Sequence, residues 1–567
     1  MANTINVKDL RGFSGNGMDD DTVSFQKCLY KASNNSLTVI IPENTTVRIT
    51  RNLFLYGNVT IEGKSVNNSI IELDSDLSAD RDLGFRVIPH FKEFWINFGI
   101  PAFGGELRAW TGQIRNITLR VTANGKCDGT VQSNQESQVV LVEMMKLWDE
   151  ARGEVIAQFK EYKEQPSLGN MIMLHRAENF VIENCIFDLR PIEHINGGNC
   201  IGGGQPTHWY SGSFYPSPAL NHGVIRNCKL FGAAYGEPRP FRNSEGKITV
   251  NGGGGAAINI GGGQRGDEGF TRSLVIENNY IEGFKDDAIA LIACSDCVVQ
   301  FNYAKGLQSR IGAFSGSNNK FIGNVLERQP GKDGRWYIEE SRYPASDFFY
   351  CGMIPGQRSR PKNMRFERNF GYLPREAPNP QDAKGNPLRY AFMAIAGAES
   401  CEVVDNIFRN DSRQDKLPCI LVTAIVDHEG IKGCKNSEGK YYAYKTYAYQ
   451  PGKVCVRDNI MEGNCPGEII EKFETQNHLQ PGPEVDDPCK PYLADGESDF
   501  VGPITYQDNV AGGYDIQSNV SQSINCKTIP TCNKLIIQKP WLRVIALIKD
   551  YLPDPMKRLL TQIRPIE

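Results

Sequence analysis

The sequence predicts an all-β chain folded as a right-handed, single-stranded parallel β-helix, and three observations support this. A short phrase, an apolar β-rich run followed by Asn, recurs eight times between residues 180 and 464. The bends at Asn278, Asn302 and Asn324 are 24 and 22 residues apart, which suits one coil of three short strands. A second column of apolar runs flanked by Gly follows the bends, as is typical of buried parallel strands. Such recurrence indicates stacked repeats.

The repeated Asn explains how the chain turns at each coil. Val, Ile and Phe favour strands, whereas Asn tolerates the left-handed backbone of a sharp bend. Stacked coils also allow the amides to form a hydrogen-bonded ladder. The bend residues expected on this basis are Asn184, Asn227, Asn278, Asn302, Asn324, Asn369, Asn406 and Asn459. A β-propeller or β-sandwich is the alternative fold, but propeller repeats of about 40–45 residues do not fit the shortest spacings.

The elements divide the chain into three regions. Residues 1–35 are expected to end in a helix that caps the open end of the stack. Residues 36–465 are expected to form the β-helix, with long polar loops on its flanks and a helical insertion at 138–164, where apolar residues approximate one helix face. Residues 466–567 are expected to form a loop-rich extension that contains two short amphipathic helices, with proline residues marking the break between them.

Composition excludes several functions. The net charge is −4, with 62 basic and 66 acidic residues, so no basic field is present to attract nucleic acid. No run of 18 or more apolar residues occurs, so no membrane span is expected. Cys294 and Cys297 form a CxxC without the second pair that a zinc site needs, so we interpret them as small buried residues and expect no metal site.

Two features resemble a known family. The segment GNGMDDDTVSFQKCL, at 15–29, resembles the opening motif of the pectate-lyase superfamily of right-handed β-helices, and the coils at 180–464 resemble its repeats. That superfamily includes polygalacturonases, pectate lyases and bacteriophage tailspikes. The resemblance covers roughly residues 5–465 and implies a carbohydrate polymer bound along the side of the helix.

One segment resembles a catalytic motif. GFKDDAIALIA, at 283–293, is similar to the paired-Asp segment of polygalacturonases, which implies that Asp286 and Asp287 are catalytic. The chain departs from that family at two places. Gly255 and Ala256 fall where a third acid is expected, and the next coil, at 307–316, lacks a His. A polygalacturonase proper is therefore not expected.

Hydrolysis of a glycosidic bond needs two carboxyl groups that flank the bond. Asp286 and Asp287 are adjacent on a strand and should point to opposite faces, so that only one faces a ligand unless a bulge redirects the other. A second acid would then come from a loop. The acids nearest by repeat position are Asp267, Glu268, Glu339 and Glu340.

Elimination needs a base beside a uronate carboxylate and a positive charge that neutralises it. Arg310 follows the Asp pair by one coil, and coils stack about 4.8 Å apart, so Arg310 should lie beside Asp286 or Asp287. Lys285 and Lys305 are close in register and would also suit an acidic sugar. The alternative interpretation of this cluster is an ordinary ion pair between coils.

Aromatic residues in two loops are candidates for stacking on sugar rings, because an aromatic face packs well against C–H groups. These candidates are Trp209, Tyr210, Trp336 and Tyr337. The alternative interpretation is that they anchor their loops.

These features predict a polysaccharide-degrading enzyme, a glycoside hydrolase or lyase, that acts on a cell-surface or extracellular and acidic glycan. The first alternative is an attachment protein of the tailspike kind, which binds a glycan as a homotrimer. The second is a β-helix scaffold without glycan chemistry. We expect an extracellular or virion-surface location, and no cofactor except a calcium ion if the reaction is an elimination.

Overall fold

The computed structural model describes residues 4–49, 53–73, 86–89, 94–99, 108–121, 140–149, 154–163, 170–190, 199–203, 220–232, 239–242, 248–251, 256–261, 271–284, 287–306, 310–329, 347–352, 360–377, 391–412, 419–423, 425–429, 445–449, 451–463, 469–472, 492–493, 504–507 and 509–511. These residues contain a 3₁₀ helix at Val7–Asp9, the helix α1 at Thr22–Asn35 and 46 strands.

In chain order the strands are β1 (Thr4–Asn6), β2 (Thr38–Ile41), β3 (Thr45–Ile49), β4 (Leu53–Leu55), β5 (Thr60–Gly63), β6 (Ser69–Leu73), β7 (Arg86–Pro89), β8 (Phe94–Phe98), β9 (Gln113–Arg115), β10 (Thr118–Val121), β11 (Val140–Asp149), β12 (Glu154–Lys163), β13 (Asn170–Leu174), β14 (Ala177–Glu178), β15 (Val181–Glu183), β16 (Ile186–Asp188), β17 (Ile201–Gly203), β18 (Leu220–Asn221), β19 (Val224–Arg226), β20 (Lys229–Phe231), β21 (Arg239–Arg242), β22 (Ile248–Asn251), β23 (Ile258–Gly261), β24 (Val275–Glu277), β25 (Tyr280–Glu282), β26 (Asp287–Ile292), β27 (Val298–Gln300), β28 (Tyr303–Gly306), β29 (Arg310–Phe314), β30 (Lys320–Ile322), β31 (Val325–Arg328), β32 (Phe349–Gly352), β33 (Met364–Glu367), β34 (Phe370–Leu373), β35 (Met393–Ala396), β36 (Ser400–Val404), β37 (Ile407–Asn410), β38 (Ile420–Thr423), β39 (Ile425–Glu429), β40 (Lys445–Tyr449), β41 (Lys453–Arg457), β42 (Ile460–Gly463), β43 (Ile469–Lys472), β44 (Tyr492–Leu493), β45 (Ile504–Gln507) and β46 (Val510–Ala511).

Three long sheets run the length of the stack. Sheet A has the order β1-β2-β5-β9-β15-β19-β24-β27-β30-β33-β36-β41-β45. Sheet B has the order β3-β6-β10-β16-β20-β25-β28-β31-β34-β37-β42-β46, and sheet C has the order β4-β8-β13-β17-β23-β26-β29-β32-β35-β38-β43. Each strand pairs in parallel with its equivalent in the next coil, and parallel crossovers are right-handed. The fold is therefore a right-handed parallel β-helix, which confirms the expected fold class.

The core is the space that the three sheets enclose. Sheets A and B alternate buried and half-buried residues, as in β24 and β25, because only one face of each strand points inward. The inward column of sheet A includes Ile182, Ile225 and Ile276, all at most 1% exposed. Sheet C differs, because all six residues of β26 are buried and its outer face is therefore covered as well.

The bend between sheets A and B uses two consecutive residues, not one. Asn184, Asn227 and Asn278 take the left-handed conformation, as expected. In the later coils the left-handed conformation belongs to the residue before the repeated Asn. For these coils, the expectation that the repeated Asn itself takes the left-handed conformation was wrong. There the bend residues are Phe301, Gly323, Arg368, Asp405 and Asp458.

From Asn279 onward, the second residue of each bend is a buried Asn, and these residues form the expected amide ladder. The Asn302 backbone N–H and Nδ2 donate to Asn324 Oδ1 at 3.1 and 3.0 Å, and Asn302 Nδ2 also donates to the Ile276 carbonyl at 2.9 Å. The same pattern joins seven buried residues, which are Asn279, Asn302, Asn324, Asn369, Asn406, Asn459 and Asn509. Cys228 occupies the ladder position one coil earlier, and its N–H donates to Asn279 Oδ1 at 3.0 Å.

The expected N-terminal helix is present as α1. Its buried side, which includes Phe25, Cys28 and Leu29, packs against β2, β3 and β4 near the N-terminal end of the stack. Asp21 precedes the helix without capping it, and its carboxylate instead accepts the N–H groups of Ser14 and Gly15 at 2.7 and 3.0 Å. Among the described residues, no helix combines the length and apolar character that a membrane crossing requires.

The expectation of an inserted helix at 138–164 was wrong. This segment forms β11 and β12, which pair antiparallel from Val140↔Lys163 to Asp149↔Glu154, and β11 also pairs with β7. The physical reason is that the β-branched Val140, Val142 and Val155 favour strands, and the helical spacing of the apolar residues did not outweigh that preference.

The expected end of the β-helix at residue 465 was too early. β45 pairs in parallel with β41, and β46 pairs in parallel with β42, so sheets A and B continue to Ala511. The weaker copy of the phrase supplies Asn509 to the ladder. The two helices expected near the C-terminus lie outside the described residues.

Candidate functional site

The three corners of the coil differ in how they accept insertions. In ten coils, from β9–β10 to β45–β46, two residues separate the sheet A strand from the sheet B strand. Longer connections enter or leave sheet C, and they include the hairpins β11–β12, β21–β22 and β39–β40. Variable connections carry binding residues more often than regular elements do. Among the described residues, the ends of the sheet C strands are thus where the longest insertions join the regular coils.

Asp287 and Arg310 face each other at one edge of sheet C. They are register partners in β26 and β29, and the Arg310 guanidinium forms a salt bridge with the Asp287 carboxylate. Their side chains are 8% and 16% exposed. The expected neighbour relation is therefore confirmed, whereas a catalytic role for the pair stays a prediction.

A β-bulge positions Asp287. The pairing of β26 with β29 shifts between Asp287 and Ile289, so Ala288 is an extra residue, and both Ala288 and Ile289 belong to the core. Such a bulge redirects a side chain that would otherwise follow strict alternation. Asp287 thereby meets Arg310 on the outer side of the sheet. Asp286 and Lys285 lie outside the described residues.

Two aromatic rings surround the Arg310 guanidinium. Its Cζ lies 4.8 Å from the Phe314 ring centroid and 5.2 Å from that of Tyr350, and the two rings are 5.0 Å apart. Gly312 makes room for this arrangement, because a Cβ there would lie 2.8 Å from Phe314 Cε2. Cation–π attraction therefore adds to the salt bridge in holding Arg310 in place.

A second acid, Asp347, lies in the next coil. It precedes β32 and is 2% exposed. Its Oδ1 accepts the N–H of Ala391 at 2.9 Å, and its backbone carbonyl accepts Arg328 Nη2 at 2.9 Å. The Ile311 N–H donates to the Phe348 carbonyl at 3.0 Å. Arg310 directly precedes Ile311, and Asp347 directly precedes Phe348, so Arg310 and Asp347 lie in adjacent coils.

The charges of this site influence one another. Burial raises the pKa of the Asp347 carboxyl to about 7, whereas the Ala391 hydrogen bond and the charges of Arg310 and Arg328 act to lower it. Burial also raises the pKa of the Tyr350 phenol, on which the charges of Arg310, Asp347 and Asp287 act. A buried carboxyl whose pKa is raised towards neutral pH is a feature that acid–base catalysis uses.

The strand register confirms that Ala256 occupies the position where a third acid was expected. Ile258 pairs with Ile289, and Asn259 pairs with Ala290, so Ala256 lies opposite the end of β26 that begins with Asp287. The Ala256 N–H donates to Asn199 Oδ1 at 2.7 Å. A methyl group cannot activate water, so this coil supplies no acid at that position.

The structure does not bring Lys305 to the pair. Lys305 lies on β28 in sheet B, where its Nζ is 3.8 Å from a Glu282 carboxylate oxygen and 5.9 Å from the Tyr280 ring centroid. It is therefore part of an ion pair between coils on a different sheet. The remaining candidates lie outside the described residues, and they are Trp209, Tyr210, Asp267, Glu268, Trp336, Tyr337, Glu339 and Glu340.

Sequence reasoning missed Asp347, Arg328, Phe314 and Tyr350. One signal was available for the first of these, because SDFFYCG at 346–352 places an Asp directly before an apolar run, as DAIALI does at 287–292. Arg328 and the two rings carry no such signal, since they meet only through the stacking of coils. Within the described part of the chain, no group of three or more His, Cys, Asp or Glu side chains could hold a metal ion.

No protein-family model and no curated protein sequence matches the chain significantly. Solved structures similar to it include the A-module of a mannuronan C-5 epimerase from Azotobacter vinelandii, at 13% identity and a TM-score of 0.44, over 92% of this chain and 100% of that one. A surface adhesin of Streptococcus pneumoniae is similar at 12% identity and a TM-score of 0.44, over 90% and 92% of the two chains.

A third similar structure is the tailspike protein of the E. coli bacteriophage HK620 in complex with a hexasaccharide. Its identity is 10% and its TM-score 0.47, over 90% of this chain and 66% of that one. At such identities the likeness concerns the fold alone, and the fold class rests on the strand pairing described above. The chain is a right-handed parallel β-helix protein, the fold that its resemblance to the pectate-lyase superfamily implies.

Proposed function

We propose that this protein degrades a polysaccharide, an acidic glycan of a cell surface or the extracellular space, that binds at the edge of sheet C where Asp287 and Arg310 lie. The observation that carries this proposal is the Asp287–Arg310 pair, which a bulge directs outward at the edge where the variable connections meet the sheet. An extracellular or virion-surface location follows from such a ligand.

The chemistry of the pair suits an acidic sugar. The Arg310 guanidinium is a planar donor that recognises carboxylates, and its charge would stabilise the negative charge that develops when a uronate loses its proton. Asp287 would act as the base in an elimination, or as the ionised carboxyl in a hydrolysis. No cofactor is required for either reaction, and a calcium ion would assist only the elimination by binding the sugar carboxylate.

Binding without cleavage is the second candidate function, in an attachment protein of the tailspike kind. Two observations favour it. Asp287 and Arg310 satisfy each other with side chains only 8% and 16% exposed, and Ala256 supplies no acid in the preceding coil. This candidate predicts a homotrimer, which light scattering of the purified protein would detect.

Incubation with a panel of acidic and neutral polysaccharides tests the proposal. New ultraviolet absorbance from an unsaturated sugar indicates elimination, and new reducing ends without it indicate hydrolysis. Binding with neither product supports the attachment protein. A chain that neither binds nor cleaves any member of the panel leaves a scaffold, and the proposed function is then wrong.

Variants locate the site. Asp287→Asn and Arg310→Ala should each lower the cleavage rate by about a hundredfold or more, as removal of a catalytic acid–base group does. Arg365→Ala is the matched control, because Arg365 also pairs with a Glu of the next coil, at 2.6 Å, but on sheet A. Full activity in the Asp287→Asn, Arg310→Ala double variant would show that the reaction occurs elsewhere.

A further inference from the structure

A strip of aromatic side chains lies on the outer face of sheet B, where the proposed reaction has no part. The strip consists of Phe231, Tyr280, Tyr303, Phe370 and Tyr372, on β20, β25, β28 and β34. The residues between them, such as Leu230 and Ile281, are fully buried in the core, and successive side chains of a strand point to opposite faces. The strip therefore faces outward, and it extends over about 19 Å, because β20 and β34 are four coils apart.

We propose that this aromatic strip is a second glycan-binding surface, on which a polysaccharide lies with the C–H faces of its sugars against the rings. The class of ligand is taken from the proposed function, on which this inference rests in that respect. The reaction at Asp287 and Arg310 is not required, because the strip lies on another sheet and binds without cleaving.

The rings of the strip contact one another along the stack. The Phe231 and Tyr280 ring centroids are 5.9 Å apart, and those of Tyr280 and Tyr303 are 5.7 Å apart. The Phe370 and Tyr372 rings, on one strand, are 6.3 Å apart with planes only 11° from parallel. Four of the five residues are half-buried, so part of each remains exposed, whereas Tyr303 is 5% exposed. Contiguous exposed apolar surface of this kind marks interaction sites.

Polar contacts hold rings of the strip in place before any ligand binds. The Tyr303 hydroxyl donates to a carboxylate oxygen of Glu327 in the next coil, at 2.6 Å. The Arg190 guanidinium lies 3.9 Å from the Phe231 ring centroid, which is close enough for cation–π attraction. Side chains that are already ordered lose little conformational entropy on binding, so these rings are preorganised for a ligand.

Charged residues lie beside the rings, two positions along the same strands. Glu282 on β25 accepts the Tyr280 hydroxyl, and its carboxylate lies 3.8 Å from Lys305 Nζ on β28. The side chains of Glu282 and Lys305 are 25% and 21% exposed. A carboxylate has about four lone-pair sites and an ammonium group has about three donors, so both groups have further capacity for sugar hydroxyls.

This mixture of rings and charges favours a glycan over a protein partner. A sugar presents an apolar C–H face together with hydroxyl groups, so it matches aromatic and charged side chains at once. The core of a protein–protein interface is instead depleted of charged residues. An apolar protein surface on the strip would also desolvate Glu282 and Lys305, which is costly.

Strand propensity alone does not explain the strip, because aromatic residues favour strands on either sheet. In the same coils, the half-buried positions of the sheet A strands β19, β24, β27, β30 and β33 hold no aromatic residue. They hold Val, Ile, Gln and charged residues, and Arg226 among them pairs with Glu183 at 2.8 Å. Within these described strands, the aromatic residues are thus confined to one of the two outer faces.

Titration calorimetry with polygalacturonate, alginate and dextran tests the proposal. The parent is the Asp287→Asn, Arg310→Ala double variant, in which the sheet C site is disabled, and at least one of the polymers should bind it. Phe231→Ala and Tyr372→Ala, each added to this parent, should weaken that binding about tenfold through the loss of one aromatic contact. Ile322→Ala is the matched control, because Ile322 is a half-buried apolar residue on sheet A, and it should leave the affinity unchanged.

Leucine variants keep the test decisive if the alanine variants fold poorly. Phe231→Leu and Tyr372→Leu retain an apolar side chain and remove only the flat ring. Their Tm should stay close to that of the parent, while their affinity should fall as far as that of the alanine variants. The same series in the otherwise wild-type chain shows whether the strip also contributes when the sheet C site is intact.

The outcomes separate this surface from the proposed reaction. Unchanged affinity in folded strip variants would overturn the inference, and so would the failure of all three polymers to bind the parent. Cleavage by the wild-type chain together with unchanged affinity in the strip variants would leave the proposed function standing and the strip without a role. Strip-dependent binding without cleavage by the wild-type chain would support the strip and overturn the proposed reaction.

Discussion

Arg310 lies opposite Asp287 in the neighbouring coil, and its guanidinium forms a salt bridge with the Asp287 carboxylate. The pair is mostly covered, so removal of one partner leaves the other charge desolvated. Arg310→Ala should therefore lower the free energy of unfolding by about 3 kcal/mol. Arg365→Ala, in the more exposed pair with Glu402, should cost at most about 1 kcal/mol. Equal effects of the two variants in denaturant titrations would contradict this view of the site.

The amide ladder should be a main source of stability. Asn324→Ala removes the acceptor of the Asn302 N–H and Nδ2 groups and the donors to Asn369 Oδ1 and the Val299 carbonyl. Each buried group left unpaired costs about 1–3 kcal/mol, so we expect a loss of about 3 kcal/mol or more. Asn68→Ala, at an exposed Asn, should change stability by less than about 0.5 kcal/mol. A small effect at Asn324 in thermal unfolding would show that the ladder contributes little.

Gly316 tests the close approach of neighbouring coils. It has φ +83°, and a Cβ would lie 2.0 Å from the Cys294 carbonyl oxygen. Gly12 has a similar φ of +79°, but a Cβ added there would have no atom within 4 Å. A substitution at Gly12 therefore measures backbone strain without the collision that Gly316 adds. Gly12→Ala should cost about 1 kcal/mol through strain alone. Gly316→Ala should cost at least about 2 kcal/mol more, because the coils must shift. The comparison of their Tm values decides between the two causes.

The core cysteines should be unreactive in the native protein. Burial raises the pKa of Cys28 to about 12 and raises the pKa of the Cys185 and Cys294 thiols as well. Because the thiolate is the reactive form, alkylation at about pH 8 should be at least about a hundredfold slower than for an unfolded chain. Cys455, which is half-buried, is the internal control among the described cysteines. Mass spectrometry that finds rapid native labelling at Cys294 would refute the expectation.

The sequence alone determined the architecture and one contact of the site. Strand-forming residues, Asn and Gly recur along the chain, and such a repeat can bury its apolar faces only by stacking coil on coil. The same register correctly placed Arg310 beside Asp287 and left Ala256 in the position of a third acid. These features are periodic, and periodicity is visible in a single sequence.

Tertiary structure decided what periodicity does not encode. The shift of the bend from Asn302 to Phe301 depends on which of two adjacent residues faces the core. The strands at 140–163 depend on pairing partners far along the chain. Asp347 lies one coil from Arg310 although 36 residues separate them, because the Ile311–Phe348 hydrogen bond aligns their coils. Burial then raises the pKa of Asp347, and burial is a property of the packed structure that no local pattern of residues records.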